Sequence, residues 1–276
     1  MALLNPDFAF SQNNLQDFLD CPRRFELRHL LRQPWPAVQS QPVREHEQHL
    51  RRGEIFHQLV HQHQLGIPAD PISQQINDPI LQGWWLNYLT AHPQPIAAQR
   101  YLEHTLQSAF GGYRLIAKYD LIAIHSDGRV TIMDWKTGLK KPSRSFIHRR
   151  VQTRLYPFLL LLSSAHLNAG KPFAAGQIEL VYWFTAEPLS PERFVYSSQQ
   201  ADSDREYLLD LIQQIEKHES TFFQMTTDER KCALCVYRSL CDRGIKAGSM
   251  DMDNDVEPDS TEQPGLVFDQ IAEIEF

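Results

Sequence analysis

The sequence predicts an α/β protein in which a mixed β-sheet is flanked by helices. Apolar residues recur at helical spacing near both ends of the chain, but alternate as in strands between residues 101 and 136. Within that part, the turn Ser126-Asp127-Gly128 lies between alternating apolar residues, which is typical of a β-hairpin. Helical and strand-like segments then alternate again after residue 150, as expected for helices that cover a sheet.

The first half of the chain predicts three helices followed by a meander of three strands. Ser11 is a suitable N-cap for a helix over residues 11–31. Further helices are predicted over residues 45–64 and 80–90, and prolines follow the latter. The meander comprises residues 101–110, 113–124 and 130–136.

The second half continues with a strongly apolar helix over residues 151–167. Strands are predicted at residues 177–185 and 194–196, and a last helix at residues 202–223. No internal repeat is visible in the sequence.

Length and charge divide the chain into one large domain, residues 1–249, and an acidic tail, residues 250–276. The net charge of the 276 residues is −7, but the tail holds nine of the 34 acids and no Lys or Arg, so the remainder has 27 bases against 25 acids and carries +2. A DNA partner is therefore compatible with the domain. No run of 18 apolar residues predicts a membrane span, and a cytoplasmic protein is expected.

The strand Ile132-Met133-Asp134-Trp135-Lys136 is the most informative segment. Residues i and i+2 of a strand share a face, so Asp134 and Lys136 should project into one site and Trp135 to the opposite side. The Asp-Gly hairpin should place Asp120 of the preceding strand close to Asp134. Two such carboxylates repel each other unless a cation lies between them. The hairpin therefore predicts a divalent metal site, although a pair of strand-end acids and a half-buried salt bridge are the alternatives.

A basic stretch follows this strand directly. It reads as a loop that holds a phosphate backbone, or alternatively as a solvated surface loop. Its basic residues are Lys140, Lys141, Arg144, Arg149 and Arg150.

Four cysteines fit a single metallocentre with none left over. Cys232, Cys235 and Cys241 form a C-x2-C-x5-C array, and Cys21 lies far upstream. Four thiolates are the ligand set of a [4Fe–4S] cluster and also of a structural zinc ion. Two disulfides are the third possibility, which a cytosolic chain disfavours. A metallocentre would join the N-terminal and C-terminal segments of the domain.

Together these residues form a pattern that resembles the PD-(D/E)XK nuclease superfamily, and in particular its RecB-like branch with Cas4 and the AddB nuclease domain. The resemblance spans about residues 10–245 and includes the upstream cysteine with three clustered downstream. The other motifs, in chain order, are Gly53 to His57, Ala117 to Asp120 with Ala in place of the usual Gly, Asp134-Trp135-Lys136, and Gln152 to Tyr156.

The resemblance implies a restriction-endonuclease-like core and a DNA nuclease that uses Mg²⁺ or Mn²⁺. Its metal would be held by His57, Asp120, Asp134 and the main-chain carbonyl of Trp135. Lys136 would orient or deprotonate the attacking water and stabilise developing charge. Single-stranded or end-bearing DNA is the implied substrate, and a [4Fe–4S] cluster the implied structural element.

Two residues of the next helix complete the implied site. Gln152 and Tyr156 share a helix face, and the resemblance implies that they contact the DNA backbone or support the metal site. Tyr156 is otherwise a core residue. Glu103, on the strand before Asp120, is either a group that supports the ligands or a surface acid.

Several alternatives stay open at this point. The chain could be a catalytically silent DNA-binding subunit, or a nuclease whose cysteines bind zinc. No P-loop motif is present, so any unwinding requires a helicase, and a repair or CRISPR protein is a further possible partner. The acidic tail could compete with DNA, dock a partner or only solubilise the chain.

Overall fold

The computed structural model describes residues 4–34, 41–92, 99–218 and 223–244. The predicted acidic tail, residues 250–276, lies outside these ranges. Within them, no helix combines the length and apolar character needed to cross a bilayer.

A six-stranded mixed sheet forms the centre of the molecule. β3 pairs with β2 along one edge, and with β1 and then β4 along the other, and the sheet continues through β5 to β6. The β1–β3 and β4–β5 pairs are parallel, whereas the other pairs are antiparallel. The strands are β1 (Ala9–Phe10), β2 (Gln99–Phe110), β3 (Tyr113–Ile124), β4 (Val130–Lys136), β5 (Ile178–Phe184) and β6 (Glu192–Val195).

Helices cover both faces of this sheet. Short 3₁₀ turns occur at Ala165–Leu167, Ala175–Gln177, Glu229–Cys232 and Arg238–Cys241, and a π-helical turn at Glu26–Leu30. The α-helices are α1 (Gln12–Asp20), α2 (Pro22–Phe25), α3 (Gln41–Gln64), α4 (Ala69–Ser73), α5 (Pro79–Ala91), α6 (Arg144–Arg149), α7 (Val151–Ser163) and α8 (Ser198–His218).

Two separate apolar cores lie on the two faces. The larger one packs α1, α7 and α8 against the sheet, with Leu155 and Leu159 fully buried. The smaller one lies under α3, α4 and α5 and is rich in aromatic residues such as Tyr88 and Trp183. The mixed sheet with helices on both faces confirms the predicted fold class.

The alternation of side chains between the two faces of the sheet shifts by one residue in both β2 and β3, at the same level of the sheet. Leu115, Ala117 and Tyr119 of β3 enter the larger core, but Leu121 enters the smaller one and Ile122 the larger. A regular strand cannot do this, because its side chains alternate strictly. The change occurs at Asp120, and the neighbouring strand changes face at Glu103, opposite it.

Three local features differ from the sequence prediction. The helix expected over residues 11–31 is interrupted at Cys21, which is extended (φ −163°, ψ 105°) because it precedes Pro22 and this position disfavours the helical conformation. The basic stretch is not wholly a loop, since it contains α6, capped by the hydroxyl of Ser143. The short elements β1 and α4 were also not predicted.

Candidate metal and nuclease site

The end of β4 places Asp134 and Lys136 side by side, as the strand period predicts. The Nζ of Lys136 lies 3.1 Å from Oδ2 of Asp134. Trp135 points to the opposite face, into the smaller core. Both polar side chains are buried, at 5% and 8% exposure.

Gln152 links this acid and this amine from the first turn of α7. Its Nε2 donates to Oδ1 of Asp134 at 2.5 Å, and its Oε1 accepts from Nζ of Lys136 at 2.8 Å. The amide therefore holds the ammonium group against the carboxylate and restricts the rotation of both side chains. The sequence predicts that Gln152 contacts the DNA backbone or supports the metal site. The structure brings its side chain into direct contact with Asp134 and Lys136.

Asp120 occupies the irregular point of β3 and faces the same site. Its Oδ2 accepts a hydrogen bond of 2.9 Å from the main-chain N–H of Trp135. Nδ1 of His57, which extends from α3, lies 3.4 Å from the same oxygen. The hairpin thus brings the two aspartates together as predicted, and α3 adds the imidazole.

Glu103 joins this group because of the irregularity in β2. Its backbone is left-handed (φ 49°), which is costly for a residue other than glycine. Regular pairing is interrupted there: Leu102 pairs with Leu121 and His104 with Tyr119, while neither Glu103 nor Asp120 pairs. The result is that ligand atoms of Glu103, Asp120 and His57 all lie within 4.8 Å of one another. The sequence predicts Glu103 as a group that supports the ligands or as a surface acid, and not as a ligand.

The two aspartates of the site differ in their electrostatics, and Glu103 is paired with Nζ of Lys118 at 2.5 Å. Burial raises the pKa of Asp134 to about 6, and the negative charge of Asp120 contributes in the same direction despite Lys136. Burial would also raise the pKa of Asp120, but the neighbouring His57 outweighs it and lowers that pKa. Burial would lower the pKa of His57, and the carboxylate of Asp120 reverses this and raises it.

These donors fit a hard divalent cation. Oδ2 of Asp134 is buried, with the Lys136 ammonium 3.1 Å away. That ammonium acts on both aspartates, and a further cation would offset the repulsion between them. Carboxylate oxygens with one imidazole are ligands for Mg²⁺ or Mn²⁺, and the imidazole favours Mn²⁺ relative to an all-oxygen site. His57, Glu103 and Asp120 place ligand atoms close enough together to hold the ion, whereas Asp134 lies outside this group and contacts Gln152 and Lys136.

Tyr156 is hydrogen-bonded to the main chain of β3. It is 3% exposed, and its hydroxyl donates to the carbonyl of Lys118 at 2.9 Å. In return, the hydroxyl of Tyr119 donates to the carbonyl of Tyr156 at 2.9 Å. These bonds fasten α7 to β3, so in this structure Tyr156 supports the helix that carries Gln152.

The predicted basic residues differ in their surroundings. Nζ of Lys141 lies 2.7 Å from Oε1 of Glu192, and Nη1 of Arg144 lies 2.6 Å from Oε2 of the same residue. Arg150 lies over the ring of Phe146. Lys140 and Arg149 are exposed. The cations after β4 are thus partly neutralised by β6.

The four cysteines line one cavity, as their number predicted. None of these four cysteines forms a disulfide. The main-chain N–H of Thr226 donates a hydrogen bond of 3.4 Å to Sγ of Cys21. The cavity is lined by Cys21, Cys232, Cys235 and Cys241 with Arg24, Arg238, Arg243, Leu27, Met225 and Tyr237.

The spacing of the sulfurs is wide. In the part of the chain that the structure describes, no three of these sulfurs lie within 4.8 Å of one another. Burial raises the pKa of Cys232, Cys235 and Cys241, which favours their protonated thiols. Binding of a metal would displace these protons.

A buried ion-pair network adjoins the cavity. Oδ1 of Asp17 lies 2.7 Å from Nε of Arg24, and its Oδ2 lies 2.9 Å from both Nη1 of Arg28 and Nε2 of His29. Burial would raise the pKa of Asp17, but the hydrogen bond from His29 and the two guanidinium groups lower it to about 2. Arg24, which lines the thiol cavity, is therefore held by a carboxylate that is ionised at neutral pH.

An acidic cluster with a lysine at the end of a sheet strand, on a mixed α/β fold, defines a hydrolase site of the nuclease type. A sequence model of the PD-(D/E)XK nuclease superfamily matches residues 9–242, and the chain belongs to this superfamily. The match includes every residue of the site described above. No curated protein matches the chain.

Two solved structures resemble the fold at low identity. The crystal structure of SSO0001 is 14% identical, with a TM-score of 0.41, and the match covers 86% of this chain and 87% of that one. The crystal structure of a "Putative exonuclease" from Eubacterium rectale is 10% identical, with a TM-score of 0.47, and the match covers 91% and 95% of the two chains. At these values the likeness carries no functional argument, and the assignment to the superfamily rests on the sequence model.

Proposed function

We propose that this protein is a Mg²⁺- or Mn²⁺-dependent deoxyribonuclease of the RecB-like, Cas4-like branch that acts as an exonuclease on single-stranded or end-bearing DNA. The observation that carries the proposal is the joint geometry of Asp120, Asp134 and Lys136, with Gln152 bonded to two of them. A solvated surface pair would not be buried, and a simple salt bridge would not bring a second aspartate and an imidazole to the same site.

When bound, a divalent ion would polarise the scissile phosphate and acidify a water molecule. His57, Asp120 and Asp134, with Glu103 and the carbonyl of Trp135, are the proposed ligands. Lys136 would hold the attacking water and stabilise the charge that develops on the phosphate oxygens. Gln152 keeps that ammonium group in place, so it would act in positioning rather than in proton transfer.

The DNA strand would approach across the basic stretch. Lys140 and Arg149 are exposed and suited to contact phosphates, which are recognised chiefly by charge. Lys141 and Arg144 are bonded to Glu192, so their proposed contribution is weaker unless DNA displaces that carboxylate. Arg150 is proposed to contribute from the start of α7.

We further propose a [4Fe–4S] cluster at the four cysteines. Tetrahedral zinc, with Zn–S bonds of about 2.3 Å, requires sulfurs roughly 3.8 Å apart. A cluster, in which iron and sulfide separate the thiolates, accommodates sulfurs that are not grouped so closely. Arg24, Arg238 and Arg243 around the cavity also suit a group of net negative charge.

A cytoplasmic location and a DNA-unwinding partner complete the proposal. Reduced thiols and a labile cluster suit a reducing compartment. A helicase of a repair or CRISPR system would supply single strands, because the sequence contains no P-loop.

Cleavage of end-labelled linear DNA tests the nuclease. Wild-type protein should degrade single strands with Mn²⁺ or Mg²⁺ and not with EDTA, and Asp134→Ala should lose at least about a hundredfold in rate. Asp127→Ala, at the exposed turn of the same hairpin, is the matched control and should remain active. Full activity of Asp134→Ala would disprove the proposed site.

Metal analysis of anaerobically purified protein tests the cluster. About four iron atoms per chain with visible absorption are expected, and Cys235→Ser should abolish both. A colourless protein with one zinc ion per chain would refute the iron–sulfur assignment and leave the nuclease proposal intact.

A further inference from the structure

Two residues of α1 lie between the segment that carries the three downstream cysteines, residues 232–241 (the cysteine segment), and the acidic site. Gln16 and Asp20 are four residues apart and therefore share one helix face. Nε2 of Gln16 donates to Oδ1 of Asp20 at 3.3 Å, so the two side chains form one unit. Neither belongs to the motifs that define the nuclease or to the thiol ligand set.

Asp20 binds the cysteine segment. It directly precedes Cys21, and its Oδ1 lies 3.0 Å from Nζ of Lys231, the residue before Cys232. Its Oδ2 accepts from Nη2 of Arg24, which lines the thiol cavity, at 3.0 Å. One carboxylate therefore contacts the cationic surroundings of the upstream and the downstream cysteines together.

Gln16 binds the start of α7. Its Oε1 accepts the main-chain N–H of Val151, the first residue of that helix, at 3.2 Å. The first N–H groups of a helix have no partner within the helix. The N-cap residue Arg150 offers no side-chain cap, so Gln16 fills this role from another helix. Arg150 itself lies 3.9 Å from Asp20.

The next residue of α7 is Gln152, which bonds both Asp134 and Lys136. We propose that Gln16 and Asp20 are positioning residues that transmit the placement of the cysteine segment to the first turn of α7, and thus to Gln152. This inference rests on the proposed nuclease function. It assigns the metallocentre a consequence for catalysis that needs no contact between the two sites.

The positioning role differs measurably from a merely structural one. If Gln16 only stabilised the fold, its loss would lower the melting temperature and leave the rate of folded protein unchanged. If it positions Gln152, kcat falls while the affinity for DNA, which depends on phosphate contacts elsewhere, is retained. The N–H of Val151 reports the contact directly, since its protection from exchange depends on Gln16.

The test uses full-length Gln16→Leu and Asp20→Asn, with Leu19→Ala on the exposed side of α1 as control. We expect Gln16→Leu to speed hydrogen exchange at Val151 about tenfold or more. We also expect kcat on single-stranded DNA to fall about tenfold, with KM within about twofold of wild type. The metal content at the cysteines and the control variant should be unchanged.

Asp20→Asn keeps the shape of the side chain but weakens its ion pairs. It should lower kcat in the same direction with a smaller change in exchange at Val151. If Asp20→Asn also releases the metal bound at the cysteines, Gln16→Leu becomes the decisive variant. The side chain of Gln16 contacts the start of α7 rather than the thiols. Unchanged kcat in Gln16→Leu, or a loss expressed only in KM, would overturn the inference.

Binding of Mn²⁺ separates this inference from the proposed function. Calorimetry on the acidic site should show Mn²⁺ affinity lowered at least about threefold in Gln16→Leu, because Gln152 orients Asp134. If wild-type protein binds Mn²⁺ but does not cleave DNA, the nuclease proposal fails while the positioning link is still measured. Equal Mn²⁺ affinity and equal exchange in both proteins would refute the link.

Discussion

The contact between Gly53 and Thr137 offers a sharp test of how His57 is positioned. Gly53 lies one turn before His57 on α3, and a Cβ at this position would lie 2.9 Å from Oγ1 of Thr137. The next nearest atom is Cβ of the same threonine at 3.9 Å. The helix thus approaches the end of β4 closely, and a single hydroxyl sets the limit.

Gly53→Ala should therefore displace α3 rather than unfold it. Ordinary contact begins near 3.4 Å, so the helix must move by 3.4 − 2.9, or about 0.5 Å. His57 is on the same helix face and now lies 3.4 Å from Asp120, so its Nδ1 would retreat by a similar amount. Because a displacement of about 1 Å in a reacting group costs up to about a hundredfold, we expect kcat to fall about tenfold.

Stability should change little in Gly53→Ala although activity falls. Alanine is favoured over glycine within a helix by about 1 kcal/mol, which offsets the strain of the displacement. The melting temperature of Gly53→Ala should therefore stay within a few degrees of wild type, about what 1 kcal/mol produces in a chain of this size. Thermal unfolding and steady-state cleavage of single-stranded DNA, measured on the same preparation, give the two quantities.

Changing Thr137 provides the control. Thr137→Ala removes Oγ1, so Gly53→Ala combined with it should recover most of the lost rate. Thr137→Ser keeps the oxygen and should not rescue. If Gly53→Ala is fully active, or if serine rescues as well as alanine, the close approach does not position His57.

Three further predictions concern the surroundings of the site. The pKa of Asp17 is about 2 in the folded protein, below the ordinary value of 3.8 for an aspartate. Its ion pairs therefore stabilise the fold above pH 4, and this contribution is lost as the pH falls towards 2. The decrease in melting temperature caused by Asp17→Asn should be largest at pH 7 and should shrink below pH 3. Tyr156→Phe removes the bond to the carbonyl of Lys118 and should cost about 1–2 kcal/mol in urea unfolding with kcat within about threefold, whereas a hundredfold loss at unchanged stability would assign the hydroxyl to the chemistry. Arg149→Ala should weaken DNA binding and reduce the slope of log affinity against log salt by about 1, and an unchanged slope would exclude a phosphate contact.

Much of the site was predictable because its chemistry follows strand geometry. The two-residue period alone pairs Asp134 with Lys136, and the Asp-Gly turn sets which residues of β3 and β4 face each other. The observed register ends with Leu121 opposite Met133, the residues that adjoin the two aspartates. Local rules were sufficient here because the hairpin is short and its two strands are adjacent in the chain.

The proposed ligand role of Glu103 was not predicted, because it depends on an irregular backbone. The residues of β3 in the larger core fall at odd positions up to Tyr119 and at even positions from Ile122, but the sequence hides this change because residues 121–124 are all apolar. Such a change of phase indicates a disturbed strand. It does not reveal that the neighbouring strand is disturbed opposite the same residue, which only pairing of the two strands can show.

The positions of the cations were also not predictable from composition. Lys141 and Arg144 appear free in the sequence, yet both contact Glu192, which lies about fifty residues further along the chain. The break at Cys21 was predictable in principle, because the residue before a proline disfavours the helical conformation. The spacing of the four sulfurs depends on how the chain termini pack, and no local pattern encodes it.

The matched change of face in β2 and β3 constrains how this hairpin can vary in length. Deleting Glu103 alone would move every side chain of β2 on one side of the deletion to the opposite face of the sheet. Apolar residues of that part would then leave the core. Deleting Glu103 and Asp120 together would restore a regular ribbon, which would fold but would lack two of the proposed ligands. Length variants of this hairpin that keep nuclease activity should therefore carry their insertions or deletions at the Gly111–Gly112 turn, away from the paired irregularity.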